Sequence, residues 1–397
     1  NTDTTKLTTL TAIELELRRL GQEHLFPPLL AFFVREATGP ATGRPRTLAT
    51  VMGKFQLSQS QADELDVPAS RRQSPFLERC CLVMSAQGSY CQAEMTLEML
   101  LGLAVSDTTL HRTVNRATLP TKQMLSKPVM SDSQPAAMDE KTSTEKVAPR
   151  KRGRGSVERM TDGRKSARAP FNSHCPPSVG HLRDSTGVPF IELLCVDGGK
   201  VRIGSDSAKW DGTYGTEWRD YKSLAINGGE EWHARFRDNQ GLVARVKDRE
   251  GVSTATLIGD GHDGIWNIFA QLPSEPDGKP REILDWFHLS ENIHKQEWSD
   301  TRKKTVARLL WKGKVKSAMR HVRKRDSLHG YLTKHKDRIP DYAQRKEEGL
   351  PIGSGSVESQ VKQIAQRLKL PVAWWEPEYV NQMLDLRTAL LNGWLFQ

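Results

Sequence analysis

FIELLCVDGGKVRIG (residues 190–204) joins an apolar run long enough for a buried strand to a Gly198-Gly199 pair with turn chemistry, and KVRIG reads as a returning strand. Farther out, EWRDYKSLAI (217–226) forms a third strand and QGLVARVKDRE (240–250) a helix. TATLIGD (254–260) is a fourth strand, DGIWNIFAQL (263–272) a helix and EILDWFHL (282–289) a fifth strand. Helical spacing dominates the remainder. The predicted order is β-β-β-α-β-α-β then helices: an α/β mixed sheet in which crossover helices join an antiparallel meander to parallel strands. In that layout the first and fourth strands are parallel neighbours, roughly 4.8 Å apart. Asp197 and Asp260, each closing its strand, then project at the sheet edge where open α/β folds bind ligands.

This order predicts a ribonuclease H-like mixed sheet. A third acid, Glu358 in IGSGSVESQ (352–360), opens a helical pattern far downstream. Carboxylates at two strand ends and a helix start can assemble a hard-metal site from distant pieces. Asp197, Asp260 and Glu358 are therefore the expected catalytic and metal-binding residues, with Mg2+ as cofactor and Mn2+ as a substitute. Asp197 would bridge two ions about 3.5–4 Å apart, the spacing that clamps attacking and leaving oxygens in phosphoryl transfer. GDGHDG is turn-like throughout, so Asp263 and His262 compete with Asp260 for the second position. Gly353 and Gly355 allow close backbone approach, and Ser354 and Ser356 can cap the helix. That helix is expected to carry Lys362, Gln363 and Arg367 on or near the face of Glu358.

The charge points to the partner. The formal net charge is +10, and the excess is clustered. Residues 301–325 hold eleven Lys/Arg and no acid, and 146–168 hold nine Lys/Arg against two acids. One-signed blocks favour a polyanion, here DNA. No apolar stretch approaches the length of a membrane span, so no membrane partner is expected. The start, NTDTTKLTTL, lacks the pattern of a secretory signal. Opening on Asn1 rather than methionine, the chain is expected to begin inside a longer reading frame. Five cysteines without a C-x-x-C pair fit a reducing, cytoplasmic setting, and His174-Cys175 reads as a loop detail.

Four regions are expected. Residues 1–72 are mainly helical, with Pro27 and Pro28 marking a break and 40–72 rich in loops. Residues 73–120 resemble a helix-turn-helix: two amphipathic helices, a stop at Gly102, then a helix capped by Ser106. Its second helix offers Thr108, Thr109, His111, Arg112 and Asn115 to a DNA groove. Residues 121–185 form a basic linker or arm whose densest cluster includes Arg150, Lys151 and Arg152. Residues 186–397 hold the mixed sheet and its helices.

VDGGKVR, EWRDYK, GDGHDGIW, ILDWFHLSENI, LPIGSGSVESQVKQIAQRLK and LRTALLNGW occur in order between about 188 and 395. Together they resemble bacterial insertion-sequence DDE transposases of the Kra group, which are related to mutator-like transposases. The resemblance implies DNA nicking and strand transfer at transposon ends, with Asp197, Asp260 and Glu358 as the catalytic acids. It also implies auxiliary roles for Asp285 and His288, which match the family's Asp-x-x-His element. It implies further an all-helical insertion over about 289–350, whose basic face, including Lys312, Lys314 and Lys316, contacts DNA with Lys362 and Arg367. Val306, Leu309, Leu310, Val315, Met319 and Val322 would form that insertion's buried stripe, and Trp311 would pack in its core. A homodimer or higher assembly on DNA, associated with the nucleoid, is expected by analogy. GDGHDGIW departs from the family's pattern at His262-Asp263. The alternatives are a ribonuclease H-like nuclease without strand transfer, a catalytically silent transposase-derived DNA-binding protein and, more distantly, a carboxylate-pair glycosidase.

Overall fold

The computed structural model describes residues 7–119, 191–208, 214–247, 249, 251–273 and 281–396. The basic arm, with Arg150, Lys151 and Arg152, lies outside the described residues. Thr9 caps the first helix, α1 (Leu10–Leu20), by accepting the N–H of Ala12. A π-helical turn (Gly21–Leu25) leads into α2 (Phe26–Thr38), with Pro27 and Pro28 in its first turn. The prolines remove two backbone donors just after the π turn, and the helix runs through them, so the expected break is a π turn and not an interruption. The segment expected to be loop-rich holds a hairpin, β1 (Arg46–Thr50) with β2 (Gly53–Leu57), followed by α3 (Gln59–Glu64). Strands this short carry too few alternations to stand out in the sequence.

Three serine-capped helices follow: α4 (Pro75–Gln87), α5 (Tyr90–Leu101) and α6 (Asp107–Arg116). Ser74, Ser89 and Ser106 accept the N–H groups of Leu77, Gln92 and Thr109, and Gly102 ends α5 at φ 67°. These boundaries match the reading of the sequence, because caps and a left-handed glycine are local signals.

The main sheet has five strands: β3 (Leu193–Ala208), β4 (Tyr214–Ile226), β5 (Glu231–Phe236), β6 (Thr256–Gly259) and β7 (Arg281–Leu284). Their spatial order is β5-β4-β3-β6-β7. The β3/β4 and β4/β5 pairs are antiparallel, and β3/β6 and β6/β7 are parallel. The last strand is shorter than expected: it ends at Leu284, and Asp285 caps a helix from Trp286, so WFHL is helical and not strand. The segments read as two strands about Gly198-Gly199 are one continuous strand, with both glycines paired to β4. A Cβ on Gly199 would lie 2.2 Å from the buried Tyr221 ring opposite, so the glycine accommodates an aromatic and makes no turn. EWHARF forms β5, a strand that the sequence conceals because buried Glu231 and His233 interrupt its apolar alternation.

Helices cover the sheet: α7 (Asn239–Lys247) and α8 (Asp263–Phe269) first, then α9 (Trp286–His294) after β7. The helical segment continues through α10 (Asp300–Trp311), α11 (Val315–Met319), α12 (Ser327–His335) and α13 (Tyr342–Glu347). Val306, Leu310, Val315 and Val322 are buried there, and Leu309 and Met319 are partly buried. Trp311 stacks on Tyr342, whose hydroxyl donates 2.7 Å to Leu284 O at the end of β7. Finally α14 (Gly355–Leu368) and α15 (Pro377–Leu391) pack on the outer reach of β3 to β5, sharing one apolar cluster with α4 and α6. Among the described residues, no helix is long and apolar enough to cross a membrane.

Candidate metal-binding active site

Strand register brings the acids together. Val196 pairs with Gly259, and Gly259 with Leu284, in parallel. The next residues along the three strands are Asp197, Asp260 and Asp285, so three carboxylates line one sheet edge. Asp197 Oδ1 accepts the Gly198 N–H at 2.7 Å. Burial pushes the Asp197 carboxyl above its ordinary value; the Gly198 hydrogen bond and His288 pull it back, while Asp260 and Glu358 raise it again. Like charges converge there, the electrostatic condition that a cation relieves.

Asp260 Oδ1 accepts the His262 N–H at 2.7 Å, and its carbonyl accepts the Tyr331 hydroxyl at 3.0 Å. Gly261 adopts φ 93° beneath the Tyr331 ring. Asp263, the rival, is exposed and ion-paired with Lys334. Asp260, not Asp263, therefore stands beside Asp197.

Asp285 is completely buried, and four donors surround it. Oδ1 accepts the N–H groups of Phe287 (2.6 Å) and His288 (3.1 Å), capping α9. Oδ2 accepts the N–H (2.6 Å) and hydroxyl (2.5 Å) of Ser354. Burial alone would raise this carboxyl, but His288 and the Ser354 bonds outweigh it and hold the group below its ordinary value. The adjacent backbones join as well, Trp286 N–H donating to Ile352 O at 3.0 Å. Gly353 makes that approach possible, since a Cβ there would sit 2.5 Å from the Phe287 ring. Ser354 was expected to cap the helix that follows; its hydroxyl instead turns sideways to Asp285.

This clamp fixes the start of α14, and Glu358 occupies its first turn. One ligand atom each from Asp285, His288 and Glu358 lies within 4.8 Å of the others. Asp285 is the poorest ligand of the three, because its oxygens are already committed to four donors. His288 Nδ1 lies 3.7 Å from Asp285 Oδ2, an ion-pair distance longer than a hydrogen bond. Asp285 first, then Asp260 and Asp197, raise its pKa to about 9 against the cost of burial. Asp197, Asp260 and Glu358 are the remaining carboxylates near this group, and oxygen donors of this kind suit a hard metal.

Other expected contacts scatter. On α6, Thr108 and Arg112 are exposed and Thr109 is half-buried. Lys312, Lys314, Lys316 and Lys362 are exposed. Arg367 is buried, and its Nε donates 2.8 Å to Ser85 O on α4. Nine residues separate it from Glu358, about two and a half helical turns, so it faces the opposite way. Burial pulls it down to about 10, still charged at neutral pH. No family profile matches the chain, and no curated protein matches its sequence.

Proposed function

We propose that the protein is a DNA transposase with a ribonuclease H-like catalytic core, cutting and joining DNA by a DDE mechanism. The observation that supports this reading is that Asp197 and Asp260 follow paired residues of two adjacent parallel strands, and that the charges of Asp260 and of Glu358, in the first turn of the clamped helix, both bear on Asp197. A sheet ordered β5-β4-β3-β6-β7, with its first strand central, supports the core assignment. The net charge of +10 supports a polyanionic substrate.

The chain's own residues prepare the reaction. Asp197, Asp260 and Glu358 would hold one or two divalent ions. When bound, magnesium, or manganese in its place, supplies activation of the attacking oxygen and neutralisation of phosphate charge. Asp285 positions Glu358 and His288 without touching substrate. His288, when protonated, offsets the crowded carboxylates. Exposed Lys312, Lys314, Lys316 and Lys362 give the phosphate backbone electrostatic contacts.

Incubation with DNA bearing the ends of its element, a target plasmid and magnesium tests the reading. Covalently joined products are expected. Cleavage without joining would mark a nuclease, and salt-dependent binding without cleavage would mark a silent DNA-binding protein.

A further inference from the structure

A cleft of about 520 Å³ opens where the start of α5, α6, the end of α14 and residues 370–376 meet. Tyr90, His111, Trp374, Trp375 and Tyr379 give it aromatic walls, and Arg367 and Glu376 are the charged residues that line it. His111 meets Tyr90 and Tyr379 edge-on, both centroid distances being 5.3 Å. The Arg367 guanidinium lies 5.1 Å from the Tyr90 ring and 4.8 Å from the Trp375 ring.

The fold holds these walls in place. Trp375 N–H donates to Arg202 O at 2.9 Å, and its carbonyl accepts Gly204 N–H at 3.0 Å, pinning the segment to β3. Its indole donates to Leu368 O at 3.1 Å. A Cβ on Gly204 would come within 2.8 Å of the Trp374 ring, so the strand leaves room for that ring. Val372 sits at φ 65°, a left-handed conformation that β-branched residues avoid. Trp374 nonetheless stays 44% exposed, a large ring held in fixed geometry with an open face.

We propose that this cleft receives an unpaired nucleobase of a DNA strand, stacked on its ring walls, with Arg367 donating to a base carbonyl or the adjoining phosphate. Every base has a π-face, so aromatic walls accept an extruded base with little sequence preference. A cavity of this size falls in the ordinary range for ligand sites, roughly 300–1,000 Å³. The α6 helix, which contributes His111, also carries exposed Arg112 and Asn115, groups suited to hold the strand's backbone. The inference rests on the reading of the chain as a DNA-processing enzyme and adds that a strand is unpaired when bound.

Fluorescence anisotropy with a labelled duplex carrying a single-stranded overhang tests it, the overhang being either intact or abasic. Wild type is expected to bind the intact overhang on the order of ten-fold more tightly. Trp374→Ala and Tyr379→Ala lose that preference, Tyr379→Phe keeps it, and affinity for a fully paired duplex stays unchanged. Equal binding of intact and abasic overhangs by wild type would overturn the proposal, as would a preference that survives in both alanine variants. Competition by free nucleoside monophosphate as effective as by the intact strand would also overturn it. Magnesium-dependent cleavage, read separately, keeps the two claims distinct: cleavage without base preference sinks only this inference, and preference without cleavage sinks only the transposase reading.

Discussion

Asp285 has no exposure, yet it accepts four hydrogen bonds, two from the first turn of α9 and two from Ser354. Asp285→Ala leaves those donors buried without an acceptor and is expected to cost about 3 kcal/mol in urea unfolding. A loss below about 1 kcal/mol would remove the clamp from the account. His288 adds a pH dependence of known sign. Its pKa is raised from the ordinary 6.5 to about 9, so the stability it contributes is complete below about pH 6.5 and fades as pH rises through about 9. Wild type should lose stability across that window, and His288→Asn should lack that loss. NMR titration of the imidazole checks the cause directly, and a midpoint near 6.5 in the metal-free protein contradicts it. At this scale the sequence is uneven to read. The acids stand out because each follows a short apolar run or opens a helix. Arg367 misleads, because a basic residue near an acid in sequence points the opposite way once the helix turns.

The strand β3 sets the geometry on which the elements depend. Its first part, Leu193–Val196, pairs with β6, and the remainder continues alone with β4, so Asp197 falls where the partner strand ends. Gly199 faces fully buried Tyr221 with no space for a methyl group, and Gly199→Ala is expected to destabilise the protein by about 2 kcal/mol. A variant as stable as wild type in urea would restore the turn reading of Gly198-Gly199. That reading failed for a physical reason: a glycine pair signals a turn only when no cross-strand ring claims the vacant space. The strand β5 escaped notice because Glu231 lies inside, paired with His233 and Arg249. The parallel strands β6 and β7 were legible as short apolar runs before an aspartate, but the apolar WFHL that continues the second run belongs to the helix that Asp285 caps. The hairpin β1–β2 had too short a period to detect.

At the scale of the whole molecule, the N-terminal helices α4 and α6 share an apolar cluster with the sheet and its C-terminal helices. Leu82, Val83, Ala86 and Val114 lie in the same apolar cluster as Val201, Ile203, Ile364 and Leu384. Arg387 ties the parts together, donating to Ala86 O at 3.0 Å and to Gln363 O at 3.0 and 3.2 Å. Fluorescent reporters placed on α4 and on β4 should therefore follow one urea transition; separate midpoints would contradict a shared core. Sequence alone divided this unit at residue 120, because a change of composition marks a change of texture and says nothing of which faces later meet. The central claim concerns chemistry at the sheet edge, and a magnesium-dependent cleavage assay on element-end DNA tests it most directly. Asp197→Asn, Asp260→Asn and Glu358→Gln should each abolish nicking while leaving DNA binding intact, and Asp263→Asn should cleave normally. Normal cleavage by any of the first three, or loss confined to Asp263→Asn, would contradict the account.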